Sequence, residues 1–191
     1  MLNILGRMSG IATNTAAWVS KAGNIGVACT RKTDWGLLDK WSVHVGGGLT
    51  HRLSRADALM IKENDLALYP HILTEQISDA TRTPDFCVVE VVSMEHALSV
   101  AGAWKNRLQK DGNTNLLTLL LDNLGPEGSC EVACRLETED LRNGLVLEGS
   151  GGVRLGELDK WACSKMDVVS SGALTMDSAP IDMTMLMEAG R

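Results

Sequence analysis

Between Thr30 and Asn64 the chain gathers Thr30-Arg31-Lys32-Thr33, then Gly46-Gly47-Gly48 with His51-Arg52 close behind, then Ile61-Lys62-Glu63-Asn64. Arg31 and Arg52 can each grip a planar carboxylate or phosphate through two parallel hydrogen bonds, while Lys32 and Lys62 supply compact point charges. Such a set suits the capture of a small polyanion. Two carboxylates stand in apolar runs further on: Glu90 among Val88, Val89, Val91 and Val92, and Asp122 after Leu116 to Leu121. A buried carboxylate is costly unless it meets a cation, a metal or a sugar hydroxyl. Two of them at the mouths of different strands can bind ribose hydroxyls, or hold magnesium, partly through water, beside substrate phosphates. Gly149-Ser150-Gly151-Gly152 and Ser170-Ser171-Gly172 can bring backbone N–H groups close to an anion, and Gly46-Gly47-Gly48 marks a tight turn or a close approach to ligand.

Residues so scattered along the chain need a frame that brings them together. Apolar, β-branched runs alternate with helical periodicity, which predicts a parallel sheet wrapped by helices. The expected strands are Ile25 to Thr30, Ala58 to Lys62, Phe86 to Val91, Leu116 to Leu121, Val146 to Glu148 and Val168 to Ser170, with a seventh if Ser42 to Val45 pairs. Between them the helical segments are Leu66 to Ala80, Met94 to Arg107, Glu127 to Leu136 and Leu155 to Cys163. A leading helix covers Leu2 to Lys21, within residues 1–22, with Ala12, Ala16, Ala17 and Val19 as small packing positions. Each strand ends in polar chemistry, and in βα barrels the carboxyl ends of the strands carry the site, with the last two loops often cradling phosphate. Six or seven strands fall short of a closed eight. The fold class is therefore α/β, an incomplete (open) TIM-like βα barrel spanning residues 1–191 as one domain.

With 18 basic and 24 acidic residues among 191, the net charge of −6 argues against a general nucleic-acid or membrane-surface binder. No run reaches the roughly 18 apolar residues of a spanning helix, so the chain reads as cytoplasmic. The five cysteines, Cys29, Cys87, Cys130, Cys134 and Cys163, show no zinc spacing and read as reduced, mostly buried thiols. His44, His71 and His96 lack motif context. No Gly-x-Ser-x-Gly elbow or phosphate-binding P-loop is present. Of five tryptophans, Trp35, Trp41 and Trp104 are candidates either for a pocket wall or for the core.

At these residues the chain resembles the quinolinate phosphoribosyltransferases, also called nicotinate-nucleotide pyrophosphorylases (carboxylating). The matching segments are Leu5 to Thr13, Thr30 to Thr33, Gly46 to Gly48 with His51-Arg52, Ile61 to Asn64, Leu121-Asp122-Asn123, Ser150 to Gly152 and Ser171 to Thr175, in the family's order. The resemblance implies transfer of phosphoribose from phosphoribosyl pyrophosphate to quinolinate with magnesium, releasing carbon dioxide and pyrophosphate and forming nicotinate mononucleotide for NAD synthesis. It implies that Thr30, Arg31, His51, Arg52 and Lys62 bind the quinolinate carboxylates and that Lys32 holds the donor's pyrophosphate. Glu90 and Asp122 would meet the ribose hydroxyls and magnesium, with Lys32, Lys62, Glu90 and Asp122 forming the catalytic set. Ser150, Gly151, Gly152, Ser171, Gly172 and Ala173 would cradle the 5′-phosphate. The resemblance covers the family's C-terminal barrel; the family's N-terminal α/β domain is not matched, and a homodimer or higher homo-oligomer is implied for the longer form. Asp65 and Val88 depart from the pattern, where a histidine and a second carboxylate are common. A related transferase acting on nicotinate or another small acid, and a non-catalytic barrel binding a phosphorylated metabolite, are the alternatives.

Overall fold

Short runs rich in Val, Leu and Ile, apolar on both faces, are the signature of strands covered on both sides. In the computed structural model, which describes residues 1–54, 57–62, 64–65, 86–111 and 116–186, they form β1 (Gly26–Cys29), β2 (Ala58–Ile61), β3 (Phe86–Val91), β4 (Leu117–Asp122), β5 (Leu145–Ser150) and β6 (Val168–Ser171). All pair in parallel in the order β1-β6-β5-β4-β3-β2. That order is the chain order wrapped round a ring, with no ladder between β1 and β2 among the described residues. The expected Ser42 to Val45 strand is a correction: those residues belong to helix α2 (Leu37–Val45). The segment that lies along β1 at the seam is Leu49, which forms a parallel bridge to Ala28, donating its N–H to Val27 O at 2.7 Å and accepting from Cys29 N–H at 3.0 Å.

Alternation along the strands divides the sheet into two faces. Val27, Cys29, Ile61, Val89, Val91, Leu117, Leu119, Leu121, Leu147 and Val169 join the core shared with the helices. The residues between them, such as Ala28, Val88, Glu90, Leu120 and Glu148, point to the concave side. Val88, one of the two departures from the family pattern, is fully buried there.

The remaining helices are α1 (Leu2–Ala22), α3 (Met94–Asp111), α4 (Gly125–Thr138), α5 (Leu158–Ala162, preceded by a 3-10 turn at Leu155–Glu157) and α6 (Ala173–Met176). The expected helix from Leu66 to Ala80 lies outside the described residues. In α1 the buried stripe is Gly6, Gly10, Ile11, Thr15, Trp18 and Ala22, while Ala16 and Ala17 face solvent; the expectation that these alanines pack is corrected. Helical period decides this, because 11, 15, 18 and 22 share one face. Gly6 and Gly10 let the segment Ala179 to Ile181 lie directly on the helix: a Cβ at Gly10 would stand 2.1 Å from Ala179 O. The Gly46-Gly47-Gly48 turn is packed against α1, a Cβ at Gly46 falling 2.5 Å from Ala12 O, so its close approach is to a helix.

Asp39, fully buried at the start of α2, ties the loop after β1 to α1. It accepts from Arg7 Nε (2.9 Å) and Nη2 (2.8 Å) and from the backbone N–H groups of Asp34 (3.0 Å) and Trp35 (3.1 Å). Burial pushes this carboxyl up, but the Arg7 hydrogen bond and the backbone donors outweigh it and hold the group below its ordinary value.

Trp18, Trp104 and Trp161 are core residues, whereas Trp35 and Trp41 are 41% and 59% exposed, and Trp35 lies under the Arg7 guanidinium. The cysteines are free, but only Cys29 and Cys87 are buried; Cys134 and Cys163 are exposed and Cys130 is half-buried, which corrects the mostly buried expectation. Burial pushes the Cys87 thiol up to about 11. Among the described residues no helix is long and apolar enough to cross a membrane.

Candidate functional site

Register builds the site. Glu90 on β3 lies beside Leu120 on β4, and Leu120 beside Glu148 on β5; Lys62, the residue after β2, sits at the same height. One layer up, Asp122 pairs with Ser150, and Ser170 faces the same way on β6 beside Ala28. Two inward-facing rows thus end at the carboxyl edge of the sheet and enclose a cavity of about 520 Å³. Thr30, Arg31, Lys32, His51, Arg52, Lys62, Glu90, Asp122 and Ser150 all line it, so the structure brings nine of the expected site residues to one place, together with Met60, Leu120, Glu148 and Ser170.

Gly151, Gly152, Ser171, Gly172 and Ala173 are absent from that lining and form the adjoining rim. Gly151 (φ +89°) presses on Asn123, where a Cβ would come within 2.3 Å of Oδ1, and Asn123 N–H donates to Ser150 O at 3.0 Å. The loops after β4 and β5 are therefore locked together. The loop after β6 abuts the loop after β1: Gly172 lies beside Lys32 and Thr30, and Thr175 Oγ1 donates to Lys32 O at 2.7 Å. The Ser171 hydroxyl is committed to the fold, donating to Val153 O at 2.8 Å and accepting from Ala173 N–H at 3.2 Å.

Within the cavity, Lys62 Nζ donates to Glu90 Oε2 at 2.7 Å, and Asp65 Oδ2 accepts the Lys62 N–H at 2.9 Å, which gives this second departure from the pattern a part in holding the lysine. Asp122 Oδ2 accepts from Asn123 Nδ2 at 2.7 Å. Across the floor, His51 Nε2 is 3.1 Å from Glu148 Oε2, and His51 Nδ1 accepts the Arg52 N–H at 2.8 Å. His51 has φ +53°, left-handed backbone that a non-glycine residue adopts only when its surroundings hold it there.

Two residues important to this layout escaped sequence reasoning. Glu148, only 3% exposed, stands in the apolar run Leu145-Val146-Leu147-Glu148, the same signal that singled out Glu90. Lys40, also 3% exposed, lies behind the wall, donating to Thr50 O with Cys29 Sγ 3.7 Å away. Burial lowers the Lys40 ammonium below the usual lysine range, with Cys29 opposing and the nearby Arg31 and Arg52 adding to the drop. A lysine inside an amphipathic helix gives no sequence signal that its head is buried.

Among the described residues no group of three or more His, Cys, Asp and Glu side chains could cage a metal ion. Glu90 and Asp122 are two separated carboxylates lining the cavity, and a pair of that kind could hold magnesium beside substrate phosphates with water completing its shell.

The chain spans 65% of the probable nicotinate-nucleotide pyrophosphorylase (carboxylating) of Methanothermobacter thermautotrophicus, to which 97% of it aligns at 33% identity. It spans 62% of the nicotinate-nucleotide pyrophosphorylase (carboxylating) of Mycobacterium leprae, with 96% of it aligned at 35% identity. The structure superposes on NadC from Streptococcus pyogenes with a TM-score of 0.77 at 30% identity, over 95% of this chain and 60% of that one. The family described as quinolinate phosphoribosyl transferase, C-terminal domain, matches residues 11–186, and the chain belongs to that family.

Proposed function

We propose that this barrel carries the phosphoribosyl-transfer site of a quinolinate phosphoribosyltransferase, joining quinolinate to phosphoribosyl pyrophosphate with loss of carbon dioxide and pyrophosphate. The observation that carries the reading is the convergence of Arg31, Lys32, Arg52 and Lys62 with Glu90 and Asp122 in one cavity at the carboxyl end of the sheet. Arg31, Arg52 and Lys62, with Thr30 and the His51 turn, bind the two ring carboxylates, since guanidinium forks match planar anions. Lys32 steadies the pyrophosphate, Glu90 and Asp122 take the ribose hydroxyls, and the rim from Ser150 to Gly152 and Ser171 to Ala173 receives the 5′-phosphate. Glu90 and Asp122 would also hold magnesium, whose charge would ease departure of pyrophosphate.

Catalysis here is positioning and charge stabilisation. The bond from the ribose anomeric carbon to pyrophosphate breaks, and the ring nitrogen, held in line, supplies the electron pair for the new bond. The quaternary nitrogen then stabilises the carbanion left when the adjacent carboxylate departs as carbon dioxide. The residues need only hold the acid and the donor in register, and no strong general base is required. Exposed apolar side chains along α2, Leu37 (65%), Trp41 (59%) and Val45 (63%), support an assembled working form.

The test is release of labelled carbon dioxide from carboxyl-labelled quinolinate with phosphoribosyl pyrophosphate and magnesium, with nicotinate assayed in parallel for mononucleotide. Release from quinolinate supports the reading. Turnover of nicotinate alone transfers it to the non-decarboxylating relatives, and binding of phosphoribosyl pyrophosphate without turnover of either acid points to a phosphometabolite-binding barrel.

A further inference from the structure

Hydrogen-bond polarity fixes the tautomer of His51. The Arg52 backbone N–H can only donate, so the ring Nδ1 it meets at 2.8 Å must be the bare, accepting nitrogen. A neutral imidazole then carries its proton on Nε2, which donates to Glu148 Oε2 at 3.1 Å. Both ring nitrogens are thereby engaged inside the protein, and the ring acts as a strut between the floor of the cavity and the Arg52 backbone. The strut is needed because His51 sits in left-handed backbone at φ +53°, a conformation that costs about 1–2 kcal/mol for a residue with a Cβ. From behind, the same turn is pinned at Thr50 O by Lys40 Nζ and by Cys29 Sγ at 3.4 Å.

Glu148 itself does not resemble a structural carboxylate. It is 3% exposed and lines the cavity, yet Oε1 is buried with no hydrogen-bond partner among the described residues. Leaving one lone-pair set unmet is an expense that packing alone would not select. Leu120 on one side and Val168 on the other, its register neighbours, offer no polar atom that would account for a carboxylate there.

We infer that Glu148 is a positioning residue for acid recognition: by holding His51 as the Nε2–H tautomer it sets the strained turn that presents the Arg52 guanidinium to a substrate carboxylate. The inference rests on the proposed phosphoribosyl-transfer reading for the identity of the acid, and it assigns His51 an indirect part in binding.

Two measurements on the chain test it. A long-range proton–nitrogen spectrum of the histidine-labelled chain, with the His51 signal assigned through His51→Gln, is expected to show a proton on Nε2 and a bare Nδ1; a proton on Nδ1, or on both nitrogens, at neutral pH overturns the inference. Calorimetric affinities for quinolinate then compare Glu148→Gln, whose amide oxygen can still accept from Nε2–H, with Glu148→Leu, which cannot. The expected result is about tenfold weaker binding for Glu148→Leu, the scale of one hydrogen bond to a charged group, with Glu148→Gln within about threefold of the parent and phosphoribosyl pyrophosphate affinity unchanged in both. Equal losses in the two variants, or losses shared by the donor, overturn it. Should the parent chain bind no quinolinate, the substrate reading falls while the tautomer measurement still decides the strut.

Discussion

Asp39 and Glu148 are both buried acids paired with a basic side chain, and the chain treats them in opposite ways. Asp39 receives two bonds from Arg7 and two from backbone N–H groups, so that both of its oxygens have a donor. Glu148 receives one bond from His51, and its Oε1 has no hydrogen-bond partner among the described residues. The first is a closed joint that fixes α2 and the loop after β1 to α1. The second is left incomplete in the wall of the cavity, with a single bond that runs to the His51 ring. Satisfaction of hydrogen bonds, and not burial, separates the two carboxylates.

The comparison breaks first at the closed joint. Asp39→Asn removes the carboxylate that meets Arg7 at both Nε and Nη2 and leaves the guanidinium only its half-exposed partner Asp34 at 3.0 Å among the described residues, and should cost about 3 kcal/mol, the lower end for breaking a buried pair, read as a drop in urea midpoint at unchanged slope. The same variant tests the pH dependence. Because the folded carboxyl lies below its ordinary value of 3.8, its stabilisation is complete above that value and is lost as pH falls through the lower folded value. The acid limb of the wild-type stability curve should therefore be steeper than that of Asp39→Asn; identical limbs would show that Asp39 is not the group titrating.

At the open pair, Arg52→Ala should weaken quinolinate binding by about 100-fold, as expected when a bidentate charged contact is lost, with little change for phosphoribosyl pyrophosphate. Equal losses for both ligands would remove Arg52 from the acid subsite. Gly149→Ala probes the strand that carries Glu148. A methyl there would lie 2.2 Å from Trp161 Cζ3, so β5 must shift, and overpacking of this kind costs about 1–3 kcal/mol; calorimetric melting reads it, and quinolinate affinity should fall in step. The smallest effect belongs to Arg135→Ala, which removes a 2.6 Å surface pair with Glu139 one helical turn away. Its cost should stay under about 0.5 kcal/mol and leave ligand affinity untouched.

Much of this was legible in the sequence, and the reasons differ by residue. All six strands were visible because each is built on an apolar or β-branched run with polar residues at or near its carboxyl end. Glu90 and Asp122 stood out because a carboxylate inside a valine or leucine run has no bland explanation. Glu148 carried the same signal in a shorter run, and as the last residue of the expected strand Val146 to Glu148 it received no role in the site. The Ser42 to Val45 segment misled because two valines spaced by two residues satisfy strand alternation, while the helix that claims them is set by the Asp39 joint and by contact with α1 through Gly46 and Gly48. The buried head of Lys40 depends on the Thr50 carbonyl reaching it across ten residues of chain, a tertiary fact that no local pattern encodes.

The placement of β1 beside β6 bears on how the chain assembles. Strands β2 to β5 pair with their successors, so each finds a neighbour as soon as the next βα unit exists. Along the sheet β1 waits for the last of the six strands, and among the described residues its other neighbour is the single bridge at Leu49. Pairing across so long a stretch of sequence is slow. During synthesis the edge of β1 that pairs with β6 is therefore the last part of the sheet to gain cover, and the nascent chain is most vulnerable to aggregation just before β6 emerges.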